Sequence, residues 1–374
     1  MSAIFEPSEP AIATPIVLRP VVEPNEGARL LDDLRTFLCR FVAFPEPEQA
    51  DAVTLWIAHS HAIDAFDCTP RLSIQSAEKR SGKTRLMDLC ALLVRSPVST
   101  ASITSASLFR LVGAGPVTLL VDEIDTVFTS RGTGAEDLRG LLNAGYLRGG
   151  SVTRAARRGG GVEHFSVFCP VALAGIGQLP DTVADRSIPI RMKRRADGEP
   201  AEKFRRREVE AEANLLRERL TAWSEEHLDT LTALRPDLPV ELGDRAADCW
   251  EPLVAIADLA GGDWSERACD AAIRLSAIPH ESALSPGVRL LVAIRAVLTS
   301  KHRSQIGSSE LARAVTESAM WPSRDSIEAR ELAARLRTYD IQPRLLRHGN
   351  EVFRGYRVED FHDAFVRYLG PVSL

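Results

Sequence analysis

RLSIQSAEKRSGKTRLMDLCALLVR, residues Arg71–Arg95, decides the fold. RLSIQS is a short apolar run, and TRLMDLCALLVR spaces its apolar residues by three and four, so the segment reads strand, loop, helix. The loop between them, Ser76-Ala77-Glu78-Lys79-Arg80-Ser81-Gly82-Lys83-Thr84, has the build of a phosphate cradle. Backbone N–H groups at a helix N-terminus suit phosphate oxygens, a lysine reaches the β- and γ-phosphates, and a hydroxyl serves Mg²⁺. Gly82, Lys83 and Thr84 supply the second half of G-x-x-x-x-G-K-[ST], while Ala77 stands where the first glycine belongs. The expectation is a P-loop: ATP along Ala77, Glu78, Lys79, Arg80, Ser81, Gly82, Lys83 and Thr84, with Thr84 on Mg²⁺.

A second signal lies 39 residues after Lys83, where the apolar strand Val117–Val121 ends in Asp122-Glu123. Asp122 at that strand end would hold Mg²⁺, and Glu123 would orient and deprotonate the attacking water. By itself such a strand end is equally a solvated turn; its spacing after the loop makes the two signals one. Pro180–Ile190, after the next strand, contains Arg186, which either offers its charge to a neighbouring subunit's γ-phosphate or pairs with Asp181 or Asp185. Arg191, Arg194 and Arg195 stand behind it for that role. Between the two strands, Ser151–Phe165 reads as a hairpin whose basic, glycine-rich tip carries Arg157 and Arg158, either as nucleic-acid contacts or as plain surface.

Outward from this centre, residues 1–27 read as a Pro- and Glu-rich leader and 28–70 as a helical segment, with a second helix near Glu48–Phe66. Residues 71–196 form the core. RLSIQS, PVST, VTLLVDE and FSVFCPVALAGI are its strands, separated by helical stretches, which predicts a parallel sheet covered on both faces. Residues 197–284 are helical and charged, a lid, with Ala201–Trp223 as one long helix and a linker at Ser282–Gly287. Residues 285–374 read as three helices, a two-stranded hairpin over Pro343–Val358 and a final helix, a winged-helix-like domain. That tail has 14 basic and 10 acidic residues, while the whole 374-residue chain is −5. Arg344, Arg347, Arg354 and Arg357 on its hairpin are the expected DNA-backbone contacts; the other reading has this domain pack without touching DNA.

The chain is 45% hydrophobic, with no run of 18 apolar residues and no secretory signal, so no membrane association is expected. Its six cysteines are widely spaced without a CxxC pair, which suits reduced thiols in a cytoplasmic protein. His59 and His61, two apart on a helix, point in different directions and make poor co-ligands.

SAEKRSGKTRLMDL, TLLVDEIDTVF, LRGLLNAGYLRGGSVTR, FPEPEQADAVTLWIAHSHAIDAF and CPVALAGIGQLPDTVADRSIPIRMKRR together resemble a bacterial and phage family of unknown function with an AAA+-like P-loop core. The likeness spans Leu30 to Tyr368. Its members occur in phages, plasmids and integrative elements, often beside or fused to primase modules. The family's loop commonly has glycine where Arg80 stands. The core is also similar to superfamily 3 and poxvirus-type primase–helicase ATPases. That likeness implies a hairpin facing DNA in a hexamer channel (Arg157, Arg158), an arginine finger (Arg186) and a polar sensor at the end of the last core strand, where only Gln178 could serve. The implied fold is α/β, a three-layer parallel-sheet core with helical lid and C-terminal winged helix. The implied activity is that of a Mg²⁺-dependent ATPase, a homo-oligomeric helicase-like or DNA-remodelling motor in replication of a mobile element, with DNA and a primase as partners. The alternative is a nucleotide-gated DNA-binding regulator or assembly factor with little turnover.

Overall fold

The computed structural model describes residues 26–100, 110–113, 115–129, 133–155, 161–177, 179–196, 201–277, 286–301, 304–321, 326–348 and 351–369. The chain divides into two compact units, Met1–Ile278 and Pro279–Leu374. Most of the expected leader, 1–27, and of the linker, Ser282–Gly287, lies outside the described residues, as do the hairpin tip with Arg157 and Arg158 and the sensor candidate Gln178.

In the first unit, α1 (Glu26–Phe41) and α2 (Pro47–His61) precede β1 (Arg71–Ser76), α3 (Lys83–Leu93), β2 (Pro97–Thr100) and β3 (Thr118–Val121). Then come α4 (Ile124–Thr129), α5 (Thr133–Ala144), β4 (Ser151–Ala155), β5 (Val162–Ser166), β6 (Val171–Ile176), α6 (Asp181–Ala184) and β7 (Ser187–Arg191). Four helices follow: α7 (Arg206–Glu226), α8 (Leu228–Ala233), α9 (Asp244–Ala260) and α10 (Trp264–Ala277). The five-stranded sheet has the order β2-β3-β6-β1-β7, every adjacent pair parallel.

Alternation along the strands builds two cores. Leu120, Ala172 and Ala174 enter the core shared with α1–α3 and α7–α10, while their neighbours Leu119, Val121, Val171 and Leu173 enter the one under α4 and α5. Helices therefore cover both faces. FSVFCPVALAGI, expected as one strand, is two: β5 pairs with β4 in an antiparallel hairpin, and β6 joins the main sheet. The break falls at Pro170, which has no N–H to give a ladder but whose carbonyl accepts from Leu119 at 2.9 Å and starts the β6 pairing. Helix α2 stops at His61, short of the expected Phe66, and one 3₁₀ turn, Ile63–Ala65, follows.

Every residue of α2 from Gln49 to His61 is buried, so its polar side chains need partners. Asp51 Oδ1 accepts from Arg35 on α1 and from Arg267 on α10, both at 2.5 Å. The Arg267 guanidinium also lies 3.7 Å from the ring centroid of Trp264. His59 Nε2 pairs with the Thr69 hydroxyl at 3.0 Å; His61 Nε2–H donates to the Leu93 carbonyl at 2.8 Å and Nδ1 meets the Thr221 hydroxyl. These separate partners explain two histidines that share no ligand.

The second unit holds α11 (Pro286–Lys301), β8 (Gln305–Gly307), α12 (Ser308–Glu317), α13 (Ala329–Leu336), β9 (Arg344–His348), β10 (Glu351–Arg357) and α14 (His362–Leu369). The expected two-stranded hairpin is a three-stranded antiparallel sheet, β8-β10-β9. β8 is only three residues long, too short for an alternating pattern to show in the sequence. Its Ile306 joins Leu290, Ile294, Leu311, Leu332 and Tyr356 in this unit's own core. Among the described residues, no helix is long and apolar enough to cross a membrane.

Asp51→Ala removes the buried carboxylate shared by Arg35 and Arg267, of which Arg267 keeps Asp32, and is expected to cost about 2 kcal/mol in urea unfolding, whereas Asp33→Ala, which removes an exposed partner of Arg219, changes stability by less than about 0.5 kcal/mol. Burial pushes the His59 imidazole down to about 3 and His61 to about 4. Both lie below the unfolded value of 6.5, so the unfolded chain binds protons first and stability falls as pH drops below about 6.5. The expected loss between pH 8 and pH 5.5 is about 3 kcal/mol, half of it removed by His61→Gln; a flat profile over that range contradicts the assignment.

Candidate functional site

Because β1, β3 and β6 are parallel, their carboxyl ends share one edge of the sheet, where ligands of open α/β sheets collect. The Ala77–Gly82 loop leaves β1 at that edge and enters α3 at Lys83. Gly82 caps the helix with φ +89°, a conformation glycine adopts without strain. Ala77 to Arg80, Gly82 and Thr84 are exposed, Lys83 is half-buried, and Ser81 is buried.

The Lys83 side chain folds back into the loop. Its ammonium donates to the Ser76 hydroxyl and, at 3.4 and 3.5 Å, to the Ser81 hydroxyl and the Glu78 carbonyl. Burial holds its pKa below the ordinary lysine value, while the negative charges of Asp122 and Asp125 act the other way. The loop lysine and the acidic turn after β3 are thus electrostatic neighbours, although 39 residues separate Lys83 from Asp122. One helical turn beyond Thr84, Asp88 is raised, chiefly by burial; Arg85 and Arg206 oppose this and Asp122 adds to it.

After β3 the chain turns sharply. Glu123 takes φ +55° and its N–H donates to Asp122 Oδ1 at 2.8 Å. Asp125 Oδ1 accepts from the Ile176 N–H at the end of β6 (3.0 Å), fastening α4 to the sheet. A side chain at Gly175 would meet Ile124 Cγ2 at 2.7 Å and Asp125 Oδ1 at 2.8 Å, so glycine is needed for that approach. Arg80, where the resemblance expects glycine, has φ +64°, which costs a residue with a side chain about 1 kcal/mol.

Arg186 lies at the other edge. Its carbonyl accepts from the Arg71 N–H at the amino end of β1, so the length of β1, about 17 Å, separates it from its own chain's loop. Its guanidinium donates to the Thr182 carbonyl at 2.6 Å and lies 5.5 Å from the Tyr146 ring centroid, rather than on Asp181 or Asp185; Asp185 instead faces Arg245. Arg194, set behind Arg186 in the sequence reading, is beside the loop: its Nε–H donates to the Lys79 carbonyl at 3.0 Å, with Glu78 at 3.7 Å. Its only sequence signal was a place in the basic run after the last strand, shared with Lys193 and Arg195.

In the second unit, the register Arg347↔Val352 and Leu345↔Arg354 puts these four on one face of the β9–β10 hairpin, and Arg344↔Gly355 puts Arg344 on the other with Arg357. Leu345 is 77% and Val352 61% exposed on the first face. On the second, Arg344 pairs with Asp360 at 2.7 Å and Arg357 with Glu359 at 3.0 Å, while Asp360 also accepts from the Arg357 N–H. The four arginines of the sequence reading are thus two pairs on opposite faces.

No group of three or more His, Cys, Asp or Glu among the described residues is arranged to hold a metal by itself. Compared with known proteins, residues 191–368 match the model of a "Protein of unknown function (DUF3631)". A solved structure titled "The A form apo structure of NrS-1 C terminal region-CTR" aligns with a TM-score of 0.42 and 13% identity over 91% of this chain and 78% of that one. An "Uncharacterized 28.9 kDa protein in xis 5'region" of Saccharopolyspora erythraea is 36% identical over 184 residues, 47% of this chain and 68% of that protein. The chain belongs to the family of that uncharacterized protein, and its carboxyl-terminal half carries the DUF3631 match.

Proposed function

We propose that the first unit is a P-loop, AAA+-like Mg²⁺-dependent ATPase and that the second is a winged-helix module that binds DNA. One observation carries the ATPase reading: the Lys83 ammonium lies inside the loop at the start of α3, within the electrostatic reach of Asp122 and Asp125. A phosphate chain fits where the ammonium now meets only hydroxyl and carbonyl oxygens, and the α3 N-terminus favours its charge. The exposed Thr84 hydroxyl and Asp122 would hold a Mg²⁺. When bound, that ion neutralises charge on the phosphates. Glu123, at the φ +55° turn beside Asp122, accepts the proton of the attacking water.

Arg186 is too far from its own loop, so its role is toward the nucleotide of a neighbouring copy in a homo-oligomer such as a hexamer. In the second unit, the order α11-β8-α12-α13-β9-β10 supports the winged-helix reading, and the face with Arg347 and Arg354 offers charge to a DNA backbone. A helicase-like or remodelling role beside a primase in a mobile element rests on the family resemblance; the xis 5' region in the relative's name is in keeping with it.

The alternative, a nucleotide-gated DNA-binding regulator with little turnover, is favoured by the strained backbone at Arg80. Phosphate release from Mg²⁺-ATP, with and without DNA, separates the two. Lys83→Ala is expected to weaken nucleotide binding about 10- to 100-fold by removing a charge-assisted contact. Glu123→Gln is expected to keep binding and cut turnover by about 10²- to 10⁴-fold. Wild-type turnover no greater than that of Glu123→Gln, with nucleotide bound, selects the regulator.

For DNA, Arg347→Ala with Arg354→Ala is expected to reduce the slope of log affinity against log salt by about one for each phosphate that is no longer neutralised. The pair Arg344→Ala and Arg357→Ala should leave the slope unchanged and lower thermal stability. Equal slopes for all three proteins reject the assigned face.

A further inference from the structure

The peptide between Lys79 and Arg80 lies where the loop needs most help. Arg80 holds φ +64° without being glycine, and Ala77 replaces the pattern's other glycine, so the loop has only Gly82 to relieve its turns. A non-glycine residue in this region is held there by its surroundings, and the surroundings here include Arg194. The Met192 N–H donates to the Gln75 carbonyl at 2.7 Å, which keeps the chain leaving β7 alongside the last residues of β1. Two residues on, the Arg194 Nε–H takes the Lys79 carbonyl at 3.0 Å.

A trans peptide is planar, so its C=O and N–H point in opposite directions. Drawing the Lys79 carbonyl toward Arg194 therefore aims the Arg80 N–H the other way. Successive N–H groups converge into an anion cradle when right- and left-handed residues alternate, and Arg80 and Gly82 are the left-handed members.

We infer that Arg194 is a positioning residue that braces the Ala77–Gly82 loop from outside, fixing the Lys79–Arg80 peptide in the orientation a phosphate requires. The inference rests on the nucleotide reading of this loop. Arg194 acts through the backbone, and its 3.7 Å approach to Glu78 is secondary: the two side chains are 60% and 72% exposed, and such surface pairs contribute little.

Hydrogen exchange of the amides in 77–82 on the nucleotide-free, full-length protein tests the brace directly, and Mg²⁺-ATP calorimetry tests its consequence. Arg194→Ala is expected to speed exchange in this segment and weaken Mg²⁺-ATP binding about tenfold, the loss of one charge-assisted hydrogen bond. Arg80→Gly should recover most of that loss in the double variant, because glycine holds φ +64° unaided. Lys193→Ala, which removes the neighbouring exposed charge but leaves the contact to the Lys79 carbonyl, should change neither readout.

Arg194→Ala with unchanged exchange and affinity overturns the brace. So does a double variant as weak as Arg194→Ala alone, or a Lys193→Ala that matches Arg194→Ala. Wild-type protein that binds no Mg²⁺-ATP overturns the nucleotide reading and the inference with it, which a loss confined to Arg194→Ala does not.

Discussion

The parallel ladder that holds β1 between β6 and β7 is the constraint on which the first unit depends. It pairs Ser76 with Ile176 and Gln75 with Arg191, so the loop after β1, the end of β6 and the chain leaving β7 emerge together at one edge. The other end of β1 is fixed by Arg71, which is fully buried. Its guanidinium donates to the carbonyls of Leu142 at 2.9 Å and Cys169 at 2.7 Å, tying α5 and the approach to β6 to the start of the strand. Burial lowers its pKa, but backbone carbonyls satisfy its donors without a carboxylate. Cys68, Cys169 and Cys249 interact electrostatically with the same charge, and burial raises all three thiols, so they are packing groups rather than nucleophiles.

At the open edge the polypeptide accepts strain. Arg80 and Glu123 both take left-handed backbone conformations without being glycine, and they flank the space around Lys83 on the loop and on the acidic turn. Strain of this kind persists only where packing over-determines the chain. Here that packing is visible: Gly175 admits Asp125, Asp125 holds the Ile176 N–H, and Arg194 holds the Lys79 carbonyl. The same edge sets Asp122 and Asp125 within electrostatic reach of the Lys83 ammonium.

The second unit spends its arginines in two ways. On one hairpin face they pair with Glu359 and Asp360 and close the 3₁₀ turn that leads into α14. On the other they alternate with exposed Leu345 and Val352. A mild excess of positive charge in the tail therefore says less about a nucleic-acid partner than the face on which the charge is displayed.

The local elements are partly legible in the order of the amino acids: periodicity placed β1, α3, β2 and the longer helices of both units, because amphipathic spacing and proline are local properties. Even so, α7 begins at Arg206 rather than Ala201, and the short α4 and α8 carried no expectation. The positions of the loop between β1 and α3 and of the acidic turn after β3 are legible too, since each is a run of adjacent residues at the end of an apolar strand. Tertiary pairing settled what no window contains. It split Phe165–Ile176 between two sheets, since both halves are apolar and only pairing partners distinguish them. It added β8, whose three residues carry no period. It placed Arg186 at the far edge from the loop and Arg194 beside it, though the two lie eight residues apart in one basic region, because β7 carries the chain from one edge of the sheet to the other. Charge and residue type are legible in a sequence; the edge or face on which a side chain stands follows from strand register, which only the folded chain fixes.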